Sequence, residues 1–299
     1  MKIAFHIGYH KTATTWLQKE YLPRHHQIGA IYRTSHPQQN PLINYLISTP
    51  EQKFDAGHCR ALLDEQISLV SAGGQQHVAV VSAERLSGFP LSGGFDSVYI
   101  AGRIQKVAPE ARIFMVVREQ ADMITSVYKQ MVLEGYPGSL EQMLNSKNWK
   151  MAGFNRAFYE YDAMIKEYQK RFGPEKVLAL PYEMMRYTPE DFINRLCRFL
   201  DIDFVPAPEA KKVVNKALPS RSIKFLSHLN KYRKTEINPY PSIRIPNRMI
   251  DALVDTHVSM TSRDIELLSA QARRELHEYY RPSNDRLKDL IGIDFHAFK

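Results

Sequence analysis

The stretch "HIGYHKTATTWLQ", residues 6–18, decides the predicted fold. It follows a short apolar opening and combines Gly8, Lys11 and threonines at positions 12, 14 and 15. A strand, a tight turn at a glycine and then lysine and hydroxyl side chains at a helix start make a cradle for an anion. Backbone N–H groups and the helix dipole both favour negative charge at such a place. We therefore predict a phosphate-binding loop after the first strand.

Two other interpretations of this stretch remain open at this point. One is an ordinary strand-to-helix turn with a capping threonine and a solvated lysine. The other is the ATP-type loop, G-x-x-x-x-G-K-[ST], which requires a glycine directly before the lysine. Here His10 precedes Lys11, and Ala13 stands within the loop. The ATP-type pattern is therefore not met.

The rest of the chain alternates short apolar runs with amphipathic segments, a pattern typical of an α/β fold. Short, continuous apolar runs favour parallel strands that are covered on both faces. We predict a three-layer α/β/α domain with a central, mostly parallel sheet over residues 1–299. Strands are predicted at 3–8, 76–82, 112–117 and 176–180, and helices at 14–21, 60–70, 121–134, 159–172, 188–200, 261–280 and 284–291. Proline and basic residues from 203 to 246 indicate an irregular stretch, which we interpret as a lid or insertion around 203–260.

Composition sets the broad class of the protein. The chain has 299 residues, 44% of them hydrophobic, and a formal net charge of +8. Its two cysteines, Cys59 and Cys197, exclude a disulfide framework and a cysteine-rich metal site. No apolar run reaches the roughly 18 residues of a membrane span, so a cytoplasmic protein without an anchor is predicted. The positive charge is compatible with a polyanionic small ligand, an acidic polymer or a membrane surface, and does not choose among them.

A second pair of residues favours a ligand with two phosphates. Arg118 follows the third predicted strand, and Ser126 comes eight residues later in the next helix. The carboxyl ends of parallel strands form one edge of the sheet, where open α/β sheets bind ligands. We therefore expect Arg118 and Ser126 to converge on one phosphate near Lys11. One anionic molecule with phosphates at two places would satisfy both loops.

With both motifs considered, the sequence resembles the PAPS-dependent sulfotransferase family, which uses 3′-phosphoadenosine-5′-phosphosulfate (PAPS) as donor and releases 3′-phosphoadenosine-5′-phosphate (PAP). The stretch "GYHKTATTWL" resembles the family's 5′-phosphosulfate loop, and "VVREQADMITSVY" its 3′-phosphate motif. The stretches "VLALPYEMMRYTPEDFINRLCRFLDI" and "YYRPSNDRLKDLIGID" fit bacterial branches of the family. One departure is Ala13, where the family usually has glycine. Another is the region after Asp203, which has no firm match to the glycine-rich cofactor loop of the small-molecule enzymes.

The resemblance implies a set of cofactor-binding residues and no metal. The 5′ side is assigned to the loop, and the 3′-phosphate to Arg118 and Ser126, with Arg221 as a second contact. Trp16 lies in the loop by position, although it and Trp149 are expected to pack rather than to stack on adenine. The loop residues are Gly8, Lys11, Thr12, Ala13, Thr14, Thr15 and Trp16.

The proposed chemistry needs a charged group for the leaving phosphate and a general base for the acceptor. Lys11 is the candidate on the leaving-group side. Glu84, directly after the second predicted strand, is the favoured base, and the alternatives for it are a pairing with Arg85 or a capping role in the next turn. His10 and His6 flank the loop as further candidates. Glu183 is interpreted as structural.

Two other classes of function remain as alternatives. The first is a kinase or other nucleotide hydrolase on a P-loop scaffold. The second is a non-catalytic basic protein that binds nucleic acid or acidic polysaccharide, which should show aromatic residues interleaved with a basic stripe. The basic residues here are scattered instead, so no nucleic-acid partner is predicted. The expected acceptor is a small molecule, a carbohydrate or a lipid-linked molecule, and fold alone does not identify it.

Overall fold

The computed structural model describes residues 1–32, 40–71, 74–145, 153–208, 218–235, 237–241, 243–260, 265–292 and 294–295. Asn215 and Trp149, which the sequence analysis considered, lie outside the described residues. The chain forms two compact units. The first comprises Met1–Glu119, Asn155–Ala210 and Arg281–Lys299, and the second Gln120–Phe154 and Lys211–Tyr280. A single domain with a lid around 203–260 stays a prediction.

The first unit contains a five-stranded sheet in which all neighbouring strands are parallel. Its strands are β1 (Lys2–His6), β2 (Ile28–Tyr32), β3 (Val78–Ser82), β4 (Arg112–Val117) and β5 (Val177–Pro181), in the order β2-β3-β1-β4-β5. Because all strands run the same way, their carboxyl ends meet at one edge. β1 lies between β3 and β4, and His6 pairs with Ser82 on one side and with Phe114 on the other.

Twelve helices are described along the chain. They are α1 (Thr14–Trp16), α2 (Pro41–Ser48), α3 (Ala56–Val70), α4 (Ser97–Val107), α5 (Gln120–Leu133), α6 (Leu140–Leu144), α7 (Tyr161–Phe172), α8 (Tyr182–Tyr187), α9 (Pro189–Leu200), α10 (Ser220–Leu229), α11 (Asn247–Met260) and α12 (Ala270–Ile291). None of the helices in the described part of the chain is long and apolar enough to cross a membrane.

Helices cover both faces of the sheet, so the predicted three-layer α/β/α fold is confirmed. On one face α9 buries Phe192, Leu196 and Leu200 against alternate strand residues such as Val80 and Val116. The intervening strand residues are buried as well and point to the other face. There α3 packs on β2, α7 packs on β4 and β5, and α4 contacts both helices.

Four of the five strands and the helices α1, α3, α7 and α9 agree with the sequence prediction to within a few residues, counting with α1 the π-helical turn Leu17–Tyr21 that continues it. Helices α2, α4 and α8 of the first unit were not predicted. β2 was missed, because Gly29 and Ala30 weaken its strand signal. The prediction of two closing helices was wrong, since α12 continues through Pro282. Tertiary contacts hold the turn after this proline: Asp162 accepts a hydrogen bond from Ser283 and forms an ion pair with Arg286 at 2.6 Å. They offset the backbone hydrogen bond that proline removes.

The second unit is helical. α10 packs on α5 and α11, and it lies within the stretch that the sequence analysis expected to be irregular. Asn230, fully buried at the end of α10, donates through Nδ2 to the carbonyl oxygens of Val132 and Tyr136. These bonds connect the end of α10 to the last turn of α5 and to the segment that follows it.

Candidate active site

The loop after β1 has a strained backbone that leaves little room for side chains. Lys11 and Ala13 have φ angles of 65° and 60°, in the left-handed region that glycine adopts without cost. Ala13 precedes α1, and its carbonyl accepts from the N–H groups of Trp16 and Leu17. The glycine that the family usually has at this position therefore fits the observed backbone better than alanine does.

Gly8 is needed for a close approach inside the loop. A Cβ atom on Gly8 would lie 2.6 Å from Thr14 Oγ1 and 3.1 Å from His6 Nε2. The Thr12 hydroxyl donates to the Tyr9 carbonyl at 2.6 Å, so this side chain stabilises the loop internally. Thr12, Thr14 and His6 are all buried beneath or within the turn. The loop is thus folded tightly around its own polar side chains.

A histidine beneath the loop links three neighbouring strands. His6 Nδ1 lies 2.8 Å from Ser82 Oγ, and its ring stacks on Phe114 with centroids 4.7 Å apart. Gln18 Nε2 donates to Ser82 at both the carbonyl and the hydroxyl oxygen. Burial lowers the pKa of His6 to about 3, so its imidazole is neutral at physiological pH. His6 therefore supports the loop from below and is too buried to meet an acceptor.

Glu84 lies on the β3 side of the loop, in a short 3-10 turn at Glu84–Ser87. Burial raises the pKa of its carboxyl, and the Lys11 charge and the Thr14 hydroxyl lower it by less. Thr14 Oγ1 is buried and makes no hydrogen bond of normal geometry with a described residue. The Ser87 hydroxyl donates to the carbonyls of Gly8 and Glu84, which ties the two turns together.

The alternative reading of Glu84, as a partner of Arg85, does not describe this arrangement. Arg85 forms an ion pair with Asp96 at 2.6 Å and lies over the Phe89 ring, 5.1 Å from its centroid. Asp96 also accepts from the Phe89 backbone N–H. Lys11, rather than Arg85, is therefore the cation that acts on the Glu84 carboxylate.

A cavity of about 380 Å³ opens beside Glu84. It is lined by His10, Thr15, Gln18, Ala83, Glu84, Arg85 and Phe89. Of the predicted loop residues, Thr15 thus faces this cavity, while Trp16 stacks on Tyr21 at 6.0 Å and packs against the apolar core. The Trp16 ring is a packing group, as expected.

His10 and Glu84 share the cavity but differ in basicity. Burial first, then the Arg85 and Lys11 charges, lower the pKa of His10 to about 4, and its Nδ1 is buried without a hydrogen-bond partner among the described residues. The pKa of Glu84 is shifted in the opposite direction, above its ordinary value of 4.5. Burial thus makes the Glu84 carboxylate more basic than an ordinary carboxylate and the His10 imidazole less basic than an ordinary imidazole.

Arg118 lies on the β4 side of the loop. Its Nη1 donates to the Lys11 carbonyl at 3.3 Å, and its guanidinium lies 4.9 Å from the centroid of the Tyr182 ring. The turn that carries it is fixed by the Tyr161 hydroxyl, which donates to the Arg118 carbonyl at 2.8 Å. The sheet order therefore places the Lys11 loop between Glu84 on one side and Arg118 on the other.

Glu183 also stabilises the turn after β4 that carries Arg118. Its Oε1 accepts from the Glu119 backbone N–H at 3.0 Å, which agrees with the structural role expected from the sequence. Burial raises its pKa, while the hydrogen bond from the Glu119 N–H and the Arg118 charge act in the opposite direction. Glu183 thus anchors the segment that aims Arg118.

Ser126 and Arg221 belong to the second unit. Ser126 is half-buried on α5, and Arg221 is exposed at the second residue of α10. Their assignment to the 3′-phosphate stays a prediction.

The sequence analysis missed four residues of this site: Ser82, Gln18, Ser87 and Tyr182. Ser82 contacts His6 because β1 and β3 are paired in register, and Tyr182 meets Arg118 because β5 lies next to β4. The sequence signal for both was their place at the carboxyl end of a strand. Gln18 and Ser87 carry no such signal, because their contacts depend on the fold of the two turns.

We expect Ala13→Gly to stabilise the protein by about 1 kcal/mol, because it removes the penalty of a Cβ atom at φ 60°. The measurement is chemical denaturation of the purified chain. Ala101→Gly in α4 is the control, and it should destabilise by about 1 kcal/mol because helical φ and ψ suit alanine. Destabilisation by Ala13→Gly as well would contradict the strained backbone.

Glu84→Gln should raise the melting temperature near neutral pH. A carboxyl whose pKa is raised on folding is destabilising when ionised, so this cost is complete above the folded pKa and absent below the unfolded value, near 4.5. The gain in melting temperature should therefore disappear as the pH falls below about 4. Glu65→Gln, at an exposed position of α3, should change little at any pH. A lower melting temperature for Glu84→Gln near neutral pH would instead mean that Glu84 stabilises the fold through Lys11.

Comparisons with known proteins agree with these features. A family model described as "Sulfotransferase family" matches residues 96–206, a segment that includes Arg118 and Ser126 but not the Lys11 loop. The fold matches a sulfotransferase from Alicyclobacillus acidocaldarius with a TM-score of 0.58 and 20% identity, covering 100% of this chain and 99% of that one. Mouse sulfotransferase SULT7A1, solved in complex with PAP, gives a TM-score of 0.42 and 13% identity, with 97% and 88% of the two chains covered.

A search of curated protein sequences finds no match. The family model and the first of these structures nevertheless point the same way, one by sequence and the other by fold. The predicted resemblance is confirmed to this extent: residues 96–206 match the sulfotransferase family model, and the fold is similar to that of a solved sulfotransferase.

Proposed function

We propose that this protein transfers a sulfuryl group from PAPS to a hydroxyl or amine of an acceptor. The observation that carries the proposal is the position of the Lys11 loop between Arg118 and Glu84. On one side of the loop, Arg118 offers positive charge for a nucleotide. On the other side, Glu84 offers a carboxylate that can accept a proton, beside a cavity for the acceptor. The sulfuryl group would pass from PAPS to the acceptor at the loop between these two sides.

On the donor side, the 5′ end of the nucleotide is assigned to the loop. Gly8 lets the loop turn tightly over Thr14 and His6, and the Lys11 ammonium supplies positive charge. The buried Thr14 hydroxyl, which lies near the Glu84 carboxylate, is assigned to donate to the 5′-phosphate in the complex. Arg118 is assigned to the 3′-phosphate, where its planar guanidinium matches phosphate geometry. Ser126 and Arg221 complete this side of the proposal.

On the acceptor side, Glu84 takes the proton. The acceptor oxygen or nitrogen forms a bond to sulfur while the bond from sulfur to the 5′-phosphate oxygen breaks. The acceptor's proton moves to the Glu84 carboxylate, and the negative charge that develops on the leaving phosphate is stabilised by Lys11. Because one bond to sulfur forms, one breaks and one proton moves to Glu84, the transfer step needs no additional reactant. The residues thus act by positioning and by electrostatic stabilisation.

His10 is assigned a hydrogen-bonding role toward the acceptor. At physiological pH its imidazole is neutral, because burial holds its pKa near 4. A neutral imidazole both donates and accepts hydrogen bonds. Together with Gln18 and Thr15 it gives the cavity several polar groups that suit a small molecule, a carbohydrate or a lipid-linked acceptor.

Binding of PAP tests the donor side without any acceptor. PAP at about 100 times its dissociation constant should add roughly 2.7 kcal/mol of stability, a melting shift on the order of 5 to 10 °C. AMP and adenosine 2′,5′-bisphosphate should shift melting less. The second of these matches PAP in charge and differs only in where one phosphate is attached.

Three variants separate the two ends of the nucleotide. Arg118→Ala should remove the preference for PAP over AMP, and Lys11→Ala should weaken both. Arg186→Ala is the matched control, because Arg186 also lies near a tyrosine ring, 5.3 Å from the Tyr187 centroid, but on the exposed surface of α8. Equal stabilisation by PAP, AMP and the 2′,5′ isomer in the unmodified protein would overturn the donor assignment.

Transfer of label from radioactive PAPS to a panel of sugars, glycolipids and phenols tests the reaction itself. Glu84→Gln should lower turnover by about two to four orders of magnitude with PAP binding unchanged. The kcat/KM of the unmodified enzyme should rise with pH through the raised pKa of Glu84, so its acid limb should lie above pH 4.5. This limb should be absent in Glu84→Gln.

His10→Ala serves as the comparison for the base. This variant should lower turnover less than Glu84→Gln does, and its kcat/KM should still fall at acid pH as in the unmodified enzyme. A larger loss in His10→Ala, with the limb gone, would reassign the base to His10. A strict requirement for magnesium together with turnover of ATP would instead favour the kinase or hydrolase alternative.

A further inference from the structure

Helix α11 of the second unit has two apolar faces, only one of which is covered. Ile250 and Val254 are buried against the rest of the unit. Met249, Leu253 and Met260 lie on another line of the helix surface, because positions separated by four and by eleven residues fall on nearly the same side. Their exposed fractions are 53%, 47% and 82%. We call these three residues the exposed ridge.

The segment just before α11 carries further exposed apolar side chains. Tyr240 is 91% exposed and Ile243 is 66% exposed. The segment is held in place by hydrogen bonds from Ile245 N–H to the Tyr232 carbonyl and from Thr235 N–H to the Asn238 carbonyl. Apolar side chains that remain exposed on a hydrogen-bonded segment, just before a helix with an exposed ridge, indicate an interaction surface.

Basic residues accompany this surface. The sequence from 231 to 248 contains five of them and one acidic residue, Glu236, which lies outside the described residues. They are Lys231, Arg233, Lys234, Arg244 and Arg248. Arg233 pairs with Asp251 at 3.1 Å, and the other four are exposed.

The acidic residues of α11 are on a different side from the ridge. Asp251 and Asp255 are four residues apart and share one line of the helix. Around the helix axis, Asp251 lies about 160° and Asp255 about 120° from Met249. The ridge therefore begins at Met249, next in sequence to Arg248, and runs along α11 to Met260, with the helix's own carboxylates on another side.

We propose that the exposed ridge and the basic segment 231–248 form a docking surface for an anionic lipid membrane. Apolar side chains beside lysine and arginine are the composition of surfaces that lie in a membrane interface, where the apolar groups enter the acyl boundary and the cations meet the headgroups. The surface lies on the second unit, so this inference does not depend on the proposed function.

Two other occupants explain the surface less well. An acidic polymer would pair with the basic side chains but would leave the ridge, Tyr240 and Ile243 exposed. A second copy of the chain in a two-fold dimer would bring the same patch against itself and place like charges together. An anionic lipid membrane accounts for both parts of the surface, because its acyl region covers the apolar side chains and its headgroups pair with the basic ones.

Co-sedimentation of the full-length purified chain with vesicles tests the proposal. Vesicles of phosphatidylcholine with about one third phosphatidylserine should bind at least about tenfold more protein than vesicles of phosphatidylcholine alone. Raising the salt to about 0.5 M should weaken this binding, because it screens the basic side chains.

Variants and controls separate the two parts of the surface. Met260→Glu and Leu253→Glu should each lower binding to anionic vesicles by about tenfold, and Lys231→Glu with Arg244→Glu should abolish the preference for anionic lipid. The matched controls are Leu69→Glu, at a leucine 66% exposed on α3, and Lys53→Glu, both in the first unit. Melting curves establish that each variant is folded. Met260 is more exposed than Leu253, so a glutamate at position 260 should disturb the fold less.

Several results would overturn the proposal. One is equal sedimentation of the protein with both kinds of vesicle. Another is an equal loss of binding to anionic vesicles in Leu69→Glu and in Met260→Glu. A dimer in light scattering that Met260→Glu dissociates, without vesicle binding, would assign the ridge to a second copy. Binding to heparin that survives Met260→Glu, again without vesicle binding, would assign the basic segment to an acidic polymer.

Discussion

The close approach of Gly8 to Thr14 and His6 is the constraint on which the site depends. A side chain at position 8 would collide with the Thr14 hydroxyl and crowd the His6 ring. With glycine there, the chain leaves β1 and turns directly above a buried imidazole that Ser82 and Phe114 hold in place. The turn then reaches α1 through two residues, Lys11 and Ala13, whose backbones are strained. Such strain persists only where the surroundings over-determine it.

The order of the strands converts this turn into a two-sided site. β1 is flanked by β3 and β4, so the residues that follow those strands stand on opposite sides of the Lys11 loop. Glu84 comes after β3 with a cavity beside it, and Arg118 comes after β4 with its guanidinium near the loop backbone. Each side is held by its own supports: Ser87 on the Glu84 side, and Tyr161 with Glu183 on the Arg118 side. A donor and an acceptor that meet above β1 fit this division.

Burial has opposite effects on the two groups that line the cavity. It disfavours the charged form of both, so it raises the pKa of the Glu84 carboxyl and lowers that of the His10 imidazole. The carboxylate becomes more basic and the imidazole less so. Ionised Glu84 costs folding free energy, a pattern expected where a residue serves chemistry rather than stability. Its raised pKa is consistent with the assignment of the base, which rests mainly on its place beside Lys11 and the cavity.

The sequence by itself determined the fold class, four of the five strands, and the loop, because short apolar runs and a glycine-lysine-threonine turn are local signals. It also placed Lys11, Glu84 and Arg118 after strand ends, since each follows a strand that the apolar pattern located. Only the tertiary structure decided how they relate. The pairing of His6 with Ser82, the choice of Asp96 over Glu84 as the partner of Arg85, and the continuation of α12 through Pro282 all depend on contacts between distant segments. The left-handed backbone at Ala13 is likewise invisible in the sequence, because alanine rarely adopts it and does so here only where the packing of the loop requires it.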